Sequence, residues 1–274
     1  MSEKCTWPTF SSSDSGMDML VKLSRFYGQD DEFVIGGGGN TSVKTPDRLW
    51  VKASGTSLAT IGPDGFVELD RAILAACLEG PAETDTLRRE EAFKQAILTA
   101  RVDPSKGLRP SVESVLHNML PSRFVVHSHS TFVNMITCCA QGEEVFRKLF
   151  GQELLWVPYT DPGITLARTL LAAIKDYAKR TGQACPPAIM VQNHGLIVCG
   201  ETPQEIRERT DSAIGKIVAL LPRGEGVSRG EGVSRGEGVS RGEGVSPLRP
   251  EGILPSVASS SLSLHLPNGR RSDT

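Results

Sequence analysis

The sequence predicts an α/β domain over residues 1–222, followed by a segment that cannot build a core. Three observations carry this. Short apolar runs alternate with stretches of helical periodicity from Met17 to Leu221. Hydrophobic residues make up 39% of the 274 residues, enough for a substantial core in one large domain or two small ones. The composition then breaks near Leu221: residues 223–246 are four copies of RGEGVS, and no aromatic residue occurs after Tyr177.

The elements follow in order. Met17, Leu20, Val21 and Leu23 stand at helical spacing behind Asp14 and Ser15, predicting a helix through Tyr27. Phe33-Val34-Ile35 reads as a strand running into the glycines of 36–39. Leu49–Ala53 and Phe66–Leu69 read as further strands, and Asp70 can cap a helix through Leu78. Thr86–Ala100 is a charged amphipathic helix, and Pro110 and Ser111 open another through Met119. Phe124–His129 reads as a buried strand, Thr131–Cys139 as a helix, Leu154–Val157 as a short strand and Ile164–Arg180 as a helix. Ala188–Gln192 and Leu196–Cys199 flank the turn Asn193-His194-Gly195, which predicts a hairpin. Thr202-Pro203-Gln204-Glu205 combines a capping box with proline at the first helical position, and the helix it starts runs toward Leu221. The connections vary too much to claim a doubly wound nucleotide fold.

Each RGEGVS copy holds one Arg, one Glu and two Gly, so it is neutral and reads as a flexible linker. A hexapeptide β-helix fits less well, because one valine per copy supplies too little core. The tail 247–274 is rich in Pro and Ser, and with the repeat 223–246 it is expected to be disordered. Of the 28 glycines, eight stand in the repeat and four at 36–39; the rest of the chain has an ordinary share.

The formal net charge of −2 argues against nucleic-acid binding by bulk basicity. The N-terminus lacks the basic patch and apolar run of a secretory leader, and no stretch is long and apolar enough to span a membrane. Six cysteines without a CxxC pair read as reduced thiols. A cytoplasmic protein with no nucleic-acid or membrane partner is expected.

The chain has five histidines, and two of them, His127 and His129, lie in one apolar strand. Residues i and i+2 share a strand face, so the two imidazoles can meet at one metal ion. The pair also fits a strand end facing solvent. His194 sits in the hairpin turn, where a side chain can project into a cleft, although turn chemistry alone also explains it. Three histidines with an open position match a catalytic zinc site. Glu113 lies near the predicted start of a helix, with His117 four residues on. It reads as an acid–base carboxylate beside the metal, as a favourable charge at the helix start, or as a local partner of His117. The segments 36–42 and 54–57 are rich in Gly, Ser and Thr, which suits anion binding; neither is a nucleotide fingerprint, and either also serves as a turn.

Taken together, GGGGNTSV at 36–43, KASGTS at 52–57, PSVE at 110–113, HSH at 127–129, VPYTDPG at 157–163 and QNHGLIVCGET at 192–202 resemble the class II aldolase/adducin family, in family order across residues 17–221. The wording is most similar to the aldolase portion of bifunctional rhamnulose-1-phosphate aldolase/alcohol dehydrogenases. The resemblance implies a three-layer α/β/α sandwich with a largely antiparallel central sheet, and a homotetramer with sites between subunits. It implies a divalent metal, usually zinc, on His127, His129 and His194, with Glu113 as the catalytic carboxylate. It places phosphate binding on Gly39, Asn40, Ser54, Gly55 and Ser111. It makes Tyr159 a catalytic residue reaching a neighbouring subunit. Val112 stands where many sugar-phosphate aldolases have a second serine, which weakens the expectation of phosphate. The implied activity is retro-aldol cleavage of a ketose 1-phosphate or related sugar acid. Epimerisation, dehydration, decarboxylation and a non-catalytic adducin-like binding module stand as alternatives.

Overall fold

The computed structural model describes residues 6–79 and 85–221. The expected boundary at 222–223, the repeat and the tail lie outside the described residues.

Seven strands form one sheet: β1 (Asn40–Lys44), β2 (Arg48–Lys52), β3 (Phe66–Asp70), β4 (Phe124–Ser128), β5 (Leu155–Val157), β6 (Ala188–Val191) and β7 (Gly195–Gly200). Their order is β3-β2-β1-β4-β7-β6-β5, and every pairing is antiparallel except β5 with β6. Side chains alternate across a strand, and both alternating sets are apolar here. Leu49, Val51, Val125, Ile189 and Ile197 join one buried cluster; Val43, Phe124, Val126, Met190 and Val198 join the other. Burying one such side chain is worth about 1.5–3 kcal/mol, so both faces need cover. Helices α2 (Arg71–Ala76), α3 (Thr86–Thr99), α4 (Ser114–Met119) and α7 (Ile164–Thr181) cover the first face. Helices α1 (Gly16–Gly28), α5 (Thr131–Thr137), α6 (Gly142–Phe150) and α8 (Pro203–Val218) cover the second. The result is the expected three-layer α/β/α sandwich with a largely antiparallel sheet.

Several helix starts follow the sequence signals. Ser15 and Asp18 form a reciprocal capping box on α1, Asp70 accepts from Ala72 and Ile73 N–H at the start of α2, and Thr202 accepts from Glu205 N–H on α8.

Two local expectations give way, and one helix was not foreseen. Residues 33–35 form no strand: the Phe33 and Val34 amides both bond the Asp30 carbonyl, so the segment is a turn that buries Phe33 and Val34, exposes Ile35 and leads through the glycines into β1. The helix expected from Pro110 begins at Ser114, because Pro110 is still extended and bridges to Ala53. Helix α6 was not expected; Phe146 and Phe150 bury one side of it, while Glu143–Arg147 and Glu144–Lys148 pair on the other.

Lys44 closes β1 inside the protein. Its ammonium donates to the Leu120 and Ser122 carbonyls at 2.6 and 2.7 Å, and burial pushes its pKa down to about 7. Among the described residues no helix is long and apolar enough to cross a membrane.

Candidate metal and catalytic site

The register of the sheet builds the site. Asn40 of β1 stands opposite His127 of β4, and Ser42 opposite Val125. Strand periodicity puts Asn40, Ser42 and His127 on one face, the face covered by α4. Beyond β4 the chain carries His129, whose N–H bonds the Phe33 carbonyl.

The hairpin between β6 and β7 brings the third imidazole. Asn193 adopts φ 55°, and its N–H bonds the Thr137 carbonyl at the end of α5. Gly195 then passes so close to β4 that a Cβ there would lie 2.4 Å from the Ser128 carbonyl oxygen. Glycine is required for this approach, and the approach delivers His194. The ring centroids of His127, His129 and His194 lie 4.8–5.4 Å apart, and one ligating nitrogen from each falls within 4.8 Å of the others.

These residues fit a metal by their own chemistry. His127 Nδ1 lies 3.0 Å from the Leu196 carbonyl and donates to it, leaving Nε2 with a lone pair facing the cluster. Burial lowers the pKa of His127, and burial together with the neighbouring imidazoles pushes that of His129 down to about 4. Both shifts favour the neutral imidazole that metal binding requires. Three imidazoles form a donor set suited to zinc with an open position.

Glu113 joins them from the turn before α4. Its Oε1 lies 3.2 Å from His194 Nε2 and 3.7 Å from His127 Nε2, and its Oε2 accepts from Asn40 Nδ2 at 2.5 Å. Burial raises the carboxyl pKa; the His127 and His194 imidazoles and the Asn40 amide outweigh it, so Glu113 is held as a carboxylate. The local Glu113–His117 pair does not form between side chains. His117 is buried and turns to β1 instead, with Nδ1 2.7 Å from Ser42 Oγ and Nε2 in a short contact with Asn40 Oδ1.

A cleft of about 270 Å³ opens on this cluster, and Glu113, His129 and His194 line it. Gly39, Asn40, Ser54, Gly55 and Ser111 line it as well. Gly39 has a positive φ, and a Cβ on it would meet the His127 carbonyl at 2.9 Å, so it serves packing as well as the cleft. The Ser54 N–H is taken by the Arg109 carbonyl, and the Ser111 hydroxyl accepts from the Glu113 N–H. Ser54 therefore offers the cleft its side-chain hydroxyl, not its amide. Tyr159 does not line this cleft. It is exposed, and its hydroxyl donates to Asp161 at 3.1 Å, a contact that raises its pKa.

Sequence reasoning missed two residues. Lys52 lines the cleft, with its ammonium 3.1 Å from the Gly37 carbonyl; burial lowers its pKa and Glu113 opposes that. The signal available was a lysine at the apolar end of a strand, two residues before a Ser-Gly turn. His117 was read only as a neighbour of Glu113 on its own helix.

The model of the class II aldolase and adducin N-terminal domain matches residues 18–213. The chain is 29% identical over 208 residues to the uncharacterized oxidoreductase YuxG of Bacillus subtilis; the match covers 73% of this chain and spans 28% of that longer protein. It is 23% identical over 180 residues to the L-fuculose phosphate aldolase of Methanocaldococcus jannaschii, covering 63% of this chain and 77% of that one. The N-terminal class II aldolase domain of a conserved protein from Thermoplasma acidophilum has a similar structure: TM-score 0.63, 30% identity, 80% of this chain and 98% of that one covered.

Proposed function

This chain belongs to the class II aldolase and adducin family, and from that premise we propose that it is a zinc-dependent aldolase. The proposed reaction is retro-aldol cleavage of a ketose 1-phosphate or related sugar acid. One observation carries the reading: Glu113, His129 and His194 line one cleft, and the buried His127 stands against them, 3.7 Å from the Glu113 carboxylate. A non-catalytic binding module has no need of four such groups held together. The fuculose-phosphate aldolase relative supports a phosphorylated ketose.

His127, His129 and His194 would hold the metal, which when bound supplies Lewis-acid stabilisation of charge developing on the substrate carbonyl oxygen. Cleavage breaks a carbon–carbon bond and leaves the electron pair on the fragment that keeps the carbonyl. Glu113 moves the proton at that carbon, and the Asn40 contact fixes the carboxylate for the transfer. Lys52, with the hydroxyls of Ser54 and Ser111 and the backbone of Gly39 and Gly55, holds the substrate anion and so orients the bond to be broken. With the Asn40 amide directed to Glu113 and His117, Lys52 carries the larger part of anion binding. Tyr159, exposed on its own chain, handles the proton on the aldehyde oxygen in the site of a neighbouring copy in a homotetramer.

A panel of ketose 1-phosphates and sugar acids, assayed with and without chelator, tests the reading. Chelator-sensitive release of an aldehyde and dihydroxyacetone phosphate is the expected result for a ketose 1-phosphate. Product that keeps all its carbons would point to epimerase or dehydratase chemistry, and loss of carbon dioxide to a decarboxylase. Purified protein that neither contains nor takes up a divalent metal would favour the binding module.

A further inference from the structure

We propose that His117 is a positioning residue for the Glu113 carboxylate and acts through Asn40. The inference rests on the reading of Glu113 as the proton-transfer group, and it starts from a hydrogen-bond chain whose direction is forced. Asn40 Nδ2 donates to Glu113 Oε2 at 2.5 Å, which turns the amide oxygen to the other side. Asn40 Oδ1 then faces His117 Nε2, which must carry the proton and donate. His117 Nδ1, left with a lone pair, accepts from the Ser42 hydroxyl 2.7 Å away.

Without the imidazole donor, the Asn40 amide is oriented by Glu113 alone, and its Oδ1 loses the donor it faces. Rotated by half a turn, the amide would set its oxygen against the Glu113 carboxylate, and the two acceptors would repel. His117 is fully enclosed, so water cannot replace it as the donor. Ser42 and Asn40 lie two residues apart on the same face of β1, which lets one imidazole bridge both. The chain therefore ties the carboxylate to β1 through Asn40, His117 and Ser42.

The test compares His117→Leu, His117→Gln, Asn40→Ala and the double variant Asn40→Ala/His117→Leu in the full chain. Readouts are kcat and KM on a ketose phosphate the wild type cleaves, zinc content and the imidazole nitrogen NMR signals of His117. His117→Leu is expected to lower kcat about 10–100-fold with zinc content unchanged and KM within about threefold. His117→Gln keeps a donor toward Asn40 and should recover most of that loss. In the Asn40→Ala background the leucine substitution should cost nothing further. In the wild type the spectrum should show the tautomer protonated at Nε2. Equal losses in the Leu and Gln variants, a full additional loss in the double variant, or a loss carried by KM or zinc would overturn the proposal. So would a tautomer protonated at Nδ1, whatever the activity. A wild type that cleaves no ketose phosphate sinks the aldolase reading instead, while the nitrogen spectrum still decides the hydrogen-bond chain.

Discussion

Gly195 passes close enough to Ser128 that the start of β7 is pressed against the end of β4, and no side chain fits between them. This one contact sets His194 beside His127 and His129. Gly195→Ala should therefore destabilise the fold by about 1–3 kcal/mol, the usual cost of forcing extra atoms into a packed region. It should also weaken zinc binding, because the added methyl pushes the hairpin turn away. Urea denaturation combined with zinc titration checks both; an alanine variant that binds zinc with wild-type affinity would show that the turn can shift without consequence.

Glu113→Gln preserves the shape of the side chain and removes its capacity to take a proton. Zinc uptake should persist, while kcat should fall about 100-fold or more, as for loss of a general acid–base group. Steady-state kinetics on metal-loaded protein measure this. Full activity would remove Glu113 from the chemistry.

Lys52→Met removes the cation in the cleft and keeps its apolar stem. A charge-assisted hydrogen bond contributes about 1.5–3 kcal/mol, so KM for a phosphorylated ketose should rise by roughly 10–100-fold. The corresponding unphosphorylated sugar should be affected far less, and comparing the two substrates isolates the anion.

Lys44 gives the stability a pH dependence of known sign. The side chain has an ordinary pKa of 10.5 and titrates near 7 when folded. Between those values the unfolded chain binds more protons than the folded one, so stability rises with pH across that window and the contribution levels off outside it. Lys44→Met should shrink that rise, leaving the smaller part that the buried Lys52 contributes with the same sign, although it leaves the Leu120 and Ser122 carbonyls without their ammonium donor. Urea midpoints at about pH 7 and about pH 10, in wild type and variant, test the sign.

The parts of the fold that sequence rules reached were those whose determinants are local. Ser15 with Asp18 and Thr202 with Glu205 fix their helix starts within a single turn, and the turn at Asn193 is marked by its own Asn-His-Gly sequence. Strand β1 escaped because its residues Asn40, Thr41 and Ser42 look like loop residues. They are buried as polar side chains because each meets a partner distant in sequence: Asn40 meets Glu113 and His117, Thr41 meets Ser24, and Ser42 meets His117. Phe33 and Val34 drew the strand assignment instead, being apolar yet folded into a turn. Within the candidate site, the three histidines and Glu113 stood out by residue type and motif, and the structure brings them together. Lys52 and His117 could be recognised only once β1, β2 and α4 were placed around the cleft. Helix α6 was the exception, since its i,i+4 charge pairs and Phe146–Phe150 stripe were available locally.

The placement of His127 on the central strand β4, hydrogen-bonded on both edges to β1 and β7, bears on how long a captured ion stays. Fraying at the rim of the sheet leaves β4 clamped, so small breathing motions offer the ion no exit from that side. Backbone amides of β4 should rank among the slowest to exchange with solvent deuterium. Any metal held there would leave from the open side of the site, where His129 is exposed and His194 stands half-buried on the hairpin turn.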